Sequence, residues 1–259
     1  MVLPFTFAEF PAFAMVLVRV GAIIGTMPLL GEQTVPRQVK VLTALLLAFL
    51  LFPMVRGGFI DRIPENPLAW VPALGLEMLL GGVIGFTVRL ITTAFEFAGE
   101  VIGFTMGLSL AQAVDPQTQL QVPLIGQFLT VMTFLVFLSI NAHHILLGAL
   151  VDSFSWLPPF TMQVTENFAD LMINLVFEVF RTGLQIAAPI LIALLLANAG
   201  LGIISRAVPQ MHVMLVAMPL TITLGIVMLG VSIPFLAGMM ITAYNGVDAT
   251  LADLFVSLR

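Results

Sequence analysis

The chain has 259 residues, of which 60% are hydrophobic and only 9% are charged, and its mean hydropathy is +1.12. A soluble domain is nearer half apolar and a quarter charged, so this composition indicates an integral membrane protein. The net charge is −5, and the basic residues do not cluster into a patch. The sequence therefore offers no electrostatic basis for binding nucleic acid. The lack of cysteine excludes disulfides, thiol chemistry and iron–sulfur ligation.

Hydrophobic segments recur along the whole chain, and no polar stretch is long enough for a separate globular domain. We therefore expect a single membrane domain over residues 1–259. The N-terminus lacks the basic region of a cleavable signal, so we expect it to be retained. A bilayer core of about 30 Å needs roughly 20 apolar residues as helix. Six segments approach or exceed that length, at about residues 11–30, 41–55, 69–95, 122–151, 169–205 and 211–244.

Glycine and proline residues lie within these segments and at their ends. Gly21 and Gly25 give the first segment a face of small residues, and Pro28 marks its end. The fifth segment is too long for one straight span, and Pro189 predicts a kink in it. Basic residues are balanced between the first two loops, so they do not set the orientation in the membrane.

Seven charged residues within or next to the hydrophobic segments are candidates for intramembrane charges, and each of them needs a partner or a polar pathway. They are Arg19, Glu77, Arg89, Glu96, Glu100, Glu178 and Arg181. Glu178 and Arg181 are close enough on one helix to pair. Arg89, Glu96 and Glu100 share a face and form either an ion pair or a polar path. Arg19 and Glu77 have no local partner, so we expect them to meet each other or another subunit.

No constellation in the sequence indicates catalysis. The adjacent His143 and His144 point to different faces of a helix, and no third ligand follows at a metal-ligand spacing. The sequence has no G-x-S-x-G, no H-E-x-x-H, no P-loop and no glycine fingerprint. We therefore predict a protein that is not an enzyme and has no metal or cofactor.

The stretch from Gly99 to Gln127 is unlike the spans around it. It begins with small residues four apart, and residues four apart share a helix face that lets another backbone approach closely. Asp115 and Pro116 then break the pattern, and uncharged glutamines follow. Irregular backbone at membrane depth is tolerated only when it is buried in protein or lines a pathway. We hypothesise that this stretch closes a conduit, with Met106 in its seal.

A second constellation lies between Asn198 and Gln210. Asn198, Gly202 and Arg206 are four apart and share one face, with Arg206 near the end of a helix that Pro209 stops. This face either packs within the chain or forms a corner at a subunit interface or pathway. The spacing leaves both alternatives open.

Three stretches give the chain a strong resemblance to the FliR family of flagellar biosynthesis proteins. They are MGLSLAQAVDPQTQLQVP, FLSINAHHILLGALVDSF and NAGLGIISRAVPQMHVMLVAMPLTITLGIVML. The pattern N-x-x-L-G-x-x-x-R-x-x-P-Q and the mid-chain Asp-Pro are its specific elements. The resemblance covers essentially the whole chain.

The resemblance implies an all-α membrane protein of broken helical hairpins, with a FliP-like part followed by a FliQ-like part. Members of the family join FliP and FliQ in a conical export channel in the bacterial inner membrane, within the flagellar basal body, with FlhB and FlhA as further partners. Unfolded flagellar proteins pass through that channel. The resemblance also implies that, in assembled gates, much of the hydrophobic helix is lifted out of the bilayer plane and buried against other subunits.

In this family a mid-chain loop projects into the channel as a plug, which corresponds to about residues 106–122 here. The residues that the resemblance and the broken stripe place in or next to the plug are Phe104, Met106, Gly107, Leu108, Leu110, Ala113, Asp115 and Pro116. Some relatives have aromatic residues where this chain has Leu110 and Ala113. The residues predicted to pack or to form interfaces are Gly99, Gly103, Asn198, Gly202, Arg206, Pro209 and Gln210.

The main alternative is a small-solute secondary transporter. Its coupled polar site would be built from Glu77, Arg89, Glu96 and Glu100. Such a protein would function alone, whereas an export gate would co-purify with several small hydrophobic subunits. An intramembrane enzyme is a more distant alternative.

Overall fold

A computed structural model describes residues 9–59, 67–108, 123–162, 166–207 and 213–258. Helices dominate these ranges, and none of the residues in them forms a strand. The helices are α1 (Phe10–Thr26), α2 (Arg37–Val55), α3 (Trp70–Thr105), α4 (Leu124–Ser139), α5 (Ala142–Trp156), α6 (Glu166–Ala207), α7 (Val213–Asn245) and α8 (Val247–Ser257). Short 3₁₀ turns at Arg56–Gly58 and Pro67–Ala69 flank the connection between α2 and α3.

Four helical stretches are long and apolar enough to cross a membrane. They are α2, α3, α6 and the stretch Val216–Ser257, which contains most of α7 and all of α8. The bent pair of α4 and α5 makes a fifth span if it is counted as one, and α1 is a shorter apolar helix. The prediction of an all-α membrane protein with about six hydrophobic segments is confirmed.

The observed helix ends follow local chemistry. Met27 precedes Pro28 and has the extended conformation that proline imposes on the residue before it, with a ψ of 151°, which ends α1. Asn141 has a φ of 56° and separates α4 from α5, whose axes differ by 69°. Asparagine tolerates this left-handed conformation better than most residues. By contrast, α6 remains one helix through Pro189.

The structure differs from the predicted segments in one boundary, one break and one additional helix. The third segment was expected to end near residue 95, but α3 continues to Thr105. The segment predicted over residues 122–151 is two helices that meet at a sharp bend. The short helix α8 follows the last predicted segment and was not expected.

The chain divides into two compact units, and α3, α6 and α7 each contribute residues to both. The first unit comprises Met1–Leu90, Leu138–Leu175 and Tyr244–Arg259. In it α3 packs closely on α1, because a Cβ atom on Gly81 would collide with the carbonyl oxygen of Arg19. One turn further on, a Cβ atom on Gly85 would lie 2.8 Å from the carbonyl oxygen of Ile23. The contact moves four residues toward the C-terminus on both helices, from Gly81 with Arg19 to Gly85 with Ile23, so α1 and α3 run parallel.

The second unit comprises Ile91–Phe137 and Val176–Ala243. Its core is built from the C-terminal part of α3, from α4, and from the central parts of α6 and α7. The buried side chains are Phe95, Ala98, Ile102, Met106, Leu129, Ile186, Ala187, Ile190, Leu194, Leu229, Leu236 and Met240. This core contains the start of the predicted plug segment.

Candidate functional site

The last turns of α3 and the first turn of α4 cross closely on either side of residues 109–122. A Cβ atom on Gly99 would lie 2.6 Å from the Cα atom of Gly126, so only glycine fits at this position. Gly103 is one turn further along α3, and a Cβ atom on it would lie 3.7 Å from Cγ1 of Ile125. The backbone that the small-residue stripe was expected to admit is therefore that of α4. We call this contact the loop base.

Met106 lies at the end of α3 and is anchored to α7 through both its backbone and its side chain. Its carbonyl oxygen accepts a hydrogen bond of 2.9 Å from Oγ1 of Thr221. Its side chain is 1% exposed and fills the space above Gly225, where a Cβ atom would lie 2.7 Å from Met106 Cε, Cγ and Sδ. Met106 was expected in the seal of a conduit, and the structure places it in the core of the second unit.

Gly107 ends the regular helix at this point. Its φ of +86° is a conformation that glycine adopts without a steric penalty. Its backbone N–H donates a hydrogen bond of 3.0 Å to the carbonyl oxygen of Phe104. Helix α3 therefore ends next to the buried Met106 and not near Gly99.

The other predicted plug residues differ in their surroundings. Leu108 is half-buried and packs against the core of the second unit. Phe104 is 75% exposed, so it does not contribute to that core. Leu110, Ala113, Asp115 and Pro116 lie outside the described residues, as do Pro209 and Gln210.

The contact between Met106 and Gly225 yields a testable prediction about stability. We expect Gly225→Ala to destabilise the second unit by about 1–3 kcal/mol, because the new methyl group overlaps Met106. In a Met106→Ala background the same substitution is expected to cost almost nothing. Thermal unfolding of the purified chain in detergent measures both effects.

Gly230→Ala is the matched control, since a Cβ atom at Gly230 on the same helix meets no described atom within 4 Å. This substitution should be neutral or slightly stabilising, because alanine favours helix over glycine. An equal cost of Gly225→Ala with and without Met106 would contradict the assigned contact.

The predicted corner at the end of α6 is exposed. Asn198, Gly202 and Arg206 all lie on the surface of that helix. A Cβ atom on Gly202 would meet nothing within 4 Å among the described ranges. Packing among the described residues therefore does not use this face.

Arg19 and Glu77 meet each other, which is the first of the two alternatives expected for them. Arg19 Nε lies 2.5 Å from Glu77 Oε2, and the two side chains are 1% and 5% exposed. Arg19 Nη1 also donates to Ser153 Oγ at 3.0 Å, and Nη2 donates to the carbonyl oxygen of Leu157 at 2.9 Å. The guanidinium carbon lies 4.0 Å from the ring centre of Phe154. This buried network joins α1, α3 and the end of α5.

The other charged residues that were predicted at membrane depth lie nearer the surface of the protein. Arg89 Nη2 lies 3.7 Å from Glu32 Oε1, a partner that the sequence pattern did not indicate. Glu178 and Arg181 pair at 2.8 Å as their spacing predicted, and more than half of each side chain is exposed. Glu96 and Glu100 are both exposed on α3.

A coupled polar site of the kind that a secondary transporter needs is not assembled on α3. Residues 77 and 100 are 23 positions apart on one continuous helix, a separation of about 35 Å. Glu77 is also committed to the buried contact with Arg19. Across the ranges that the structure describes, no three His, Asp or Glu side chains are grouped as metal ligands would be.

Comparison with known proteins first identifies the class of protein to which this chain belongs. The sequence profile of the family described as "Bacterial export proteins, family 1" matches residues 10–247, almost the whole chain. An all-helical membrane fold and this match define a bacterial export protein.

Matches to individual proteins identify the family within this class. The chain is 32% identical over 242 residues to the flagellar biosynthetic protein FliR of Escherichia coli strain K12, which covers 93% of this chain and 92% of the relative. It is 35% identical over 223 residues to FliR of Bacillus subtilis strain 168, with 85% of each chain covered. It is 33% identical over 225 residues to FliR of Caulobacter vibrioides, with coverages of 86% and 89%. The chain belongs to the FliR family of bacterial export proteins.

Proposed function

We propose that this chain is a core subunit of the flagellar type III protein export gate. It joins FliP and FliQ in a conical channel in the bacterial inner membrane, at the flagellar basal body, with FlhB and FlhA as neighbours. Unfolded flagellar proteins pass through this channel, and residues 106–122 form a plug that closes it. The subunit has no catalytic step and needs no cofactor.

The observation that carries the proposal is the tight packing of the residues on both sides of the plug segment. Gly99 and Gly126 hold the two flanking helices in backbone contact, and Met106 is locked to α7 by Thr221 and Gly225. A segment that must resist leakage needs fixed ends, and buried packing provides them. In this proposal Met106 anchors the plug, while the residues after Leu108 make the seal.

The exposed apolar surface is large enough to be shared between lipid and the other subunits of an assembled gate. In the second unit, α6 and α7 present large apolar side chains outward, among them Phe177, Ile203 and Val231, each at least 66% exposed. Continuous exposed apolar surface marks either lipid or a protein partner. FliP and FliQ would cover part of it, and the exposed face of Asn198, Gly202 and Arg206 would lie at such an interface.

The order of the parts is also a proposal. A FliP-like part would come first and a FliQ-like part second, as in the hairpins that the family resemblance implies. The long, continuous α6 and α7 would then form the second hairpin.

Deletion of residues 109–114 tests the plug. We expect the assembled complex to conduct ions at rest, because the segment is shortened while Met106 and the loop base remain in place. Single-channel recording of purified complexes in planar bilayers measures this conductance. Replacement of residues 163–165 by three glycines is the control and should leave the channel closed. A fully assembled complex that stays closed after the deletion would refute the plug assignment.

A further inference from the structure

A groove of about 370 Å³ lies in the first unit between α5 and α8. Its floor is apolar, since Ala149, Leu251 and Phe255 line it and are at most 8% exposed. Asp152 from α5 and Asp248 from α8 also line it, and both residues are exposed. The groove therefore combines a buried apolar floor with one carboxylate on each of its two walls.

No cation of the described part of the chain balances these carboxylates. The side chains of Asp152 and Asp248 form no ion pair or hydrogen bond with a described residue. None of the nine residues that line the groove is basic. Arg19 contacts Ser153, the residue after Asp152, but it is 1% exposed and its donors are used by Glu77, Ser153 and the carbonyl oxygen of Leu157. The groove thus has a local charge of −2.

The carboxylates belong to helices in which an unpaired charge is costly. Both α5 and α8 are parts of stretches that are long and apolar enough to cross a membrane. A carboxylate in such a stretch needs a cation, a polar partner or water. The need is the same when the helix is buried against another protein, because an unpaired charge is unfavourable in a protein interior as well.

Local helix chemistry explains only one of the two carboxylates. Asp248 lies in the first turn of α8, where the helix dipole stabilises an anion. Asp152 lies in the C-terminal half of α5, where the dipole gives an anion no such stabilisation. A partner from outside the described chain is therefore needed chiefly at Asp152.

The surroundings of Asp152 favour an arginine as that partner. Trp156 lies four residues further along α5 on the same face, and it is 45% exposed. A planar guanidinium group can pair with a carboxylate and stack on an indole ring, whereas an ammonium group is a compact point charge. Gly148 lies four residues before Asp152, and a Cβ atom on it would meet no described atom within 4 Å. This wall of the groove is therefore open to a long side chain.

We propose that this groove is a docking site for a basic segment of another protein. An arginine of that segment pairs with Asp152 and stacks on Trp156, and a second basic side chain meets Asp248. Apolar residues of the segment cover Leu251 and Phe255 on the floor. The inference does not depend on the proposed export function, since it rests on the first unit alone.

Photo-crosslinking in cells identifies the occupant of the groove. Ala249 is replaced by p-benzoylphenylalanine in the full-length chain, which is produced together with the proteins that assemble with it. Ala249 is exposed next to Asp248 and does not line the groove, so the probe does not fill it. After irradiation, peptide mass spectrometry locates the crosslinked residue. We expect it in a segment of another protein that has an arginine within one helical turn.

Charge substitutions then test the pairing with that segment. Asp152→Asn and Asp248→Asn should each lower the yield of the crosslink by about fivefold, as expected for the loss of one ion pair near a surface. Asp152→Arg should abolish the crosslink, and replacement of the arginine of the partner by aspartate should then restore it. Asp253→Asn is the matched control and should leave the yield unchanged, because Asp253 is exposed on α8 outside the groove.

Gly148→Leu tests the groove without a change of charge. The fold should be retained, since the new Cβ atom meets no described atom within 4 Å and leucine favours helix over glycine. The larger side chain should nevertheless fill the groove and remove most of the crosslink. Gly75→Leu is the control, because Gly75 is exposed on α3 and a Cβ atom on it is equally free of contacts. Thermal unfolding in detergent verifies that both variants are folded.

Several results would overturn the proposal. One is a crosslink to lipid, to a second copy of this chain, or to a segment without a basic residue. Another is an unchanged yield in both asparagine variants, which would show that the carboxylates do not hold the segment. The absence of any crosslink from position 249 would also overturn it.

Discussion

Arg19→Met is expected to destabilise the chain by about 3–5 kcal/mol, because it leaves the carboxylate of Glu77 buried without its cation. Glu77 is 4% exposed, and the same substitution also removes the donors to Ser153 Oγ and to the carbonyl oxygen of Leu157. The loss should appear as a lower thermal unfolding midpoint in detergent and as less chain in the membrane.

Two companion variants show that the effect comes from the buried charge. The double variant Arg19→Met with Glu77→Leu should recover part of the loss, since no unpaired carboxylate remains. Arg181→Met removes a pair in which both side chains are more than half exposed, so it should cost at most about 1 kcal/mol. If Arg19→Met and Arg181→Met have equal effects, the network does not contribute as described.

Gly99→Val is expected to separate α3 from α4 at the loop base. Its Cβ atom would lie 2.6 Å from Cα of Gly126, and backbone cannot yield as the end of a flexible side chain can. Overpacking of this kind costs about 1–3 kcal/mol, and the branched side chain places it at the upper end. We expect a lower unfolding midpoint and, in the assembled complex, ion leakage through the proposed plug, because the loop base has opened.

Gly103→Ala is the control on the same helix face, one turn away. Its Cβ atom would be 3.7 Å from the side chain of Ile125, which is ordinary van der Waals contact. This variant should unfold at or slightly above the unmodified midpoint, since alanine is the better helix former. Equal losses from the two substitutions would show that the stripe is sensitive to any side chain and not to the crossing with Gly126.

The sequence was sufficient to predict the all-helical membrane class, because long apolar runs can satisfy their backbone hydrogen bonds in a bilayer only as helix or closed barrel. It was insufficient at the end of α3. The spacing of Gly99 and Gly103 predicted that another backbone would approach this face closely, but it did not identify that backbone as the one of α4 or show that the closest approach is at Gly99.

Small-residue spacing alone did not show which pairs have a neighbour. Gly81 and Gly85 receive the backbone of α1, whereas a Cβ atom on Gly21 or Gly25 meets nothing within 4 Å in the described ranges. The pattern is the same in both pairs, so only the tertiary arrangement distinguishes them. The contact of Arg89 with Glu32 was missed for the same reason, since the two residues are 57 positions apart.

The anchoring of Met106 to α7 was not predicted, since the sequence singled out Met106 as a residue of the seal. Its place beside the small-residue stripe singled it out, but nothing in the sequence linked it to α7. Thr221 and Gly225 are four residues apart on one helix face, which was the available signal. The many methionines of α7 drew attention away from Thr221 and Gly225 as a contact face.

The contact between Gly99 and Gly126 has a consequence for how the intervening segment can change during evolution. Since α3 and α4 are held together by their own backbones, residues 109–122 are not needed to bring them together. The entropy of closing a loop grows slowly, by about 0.6 kcal/mol for each doubling of its length. Stability therefore places little restriction on the length of this segment, which leaves natural selection free to adapt that length to the function of the segment.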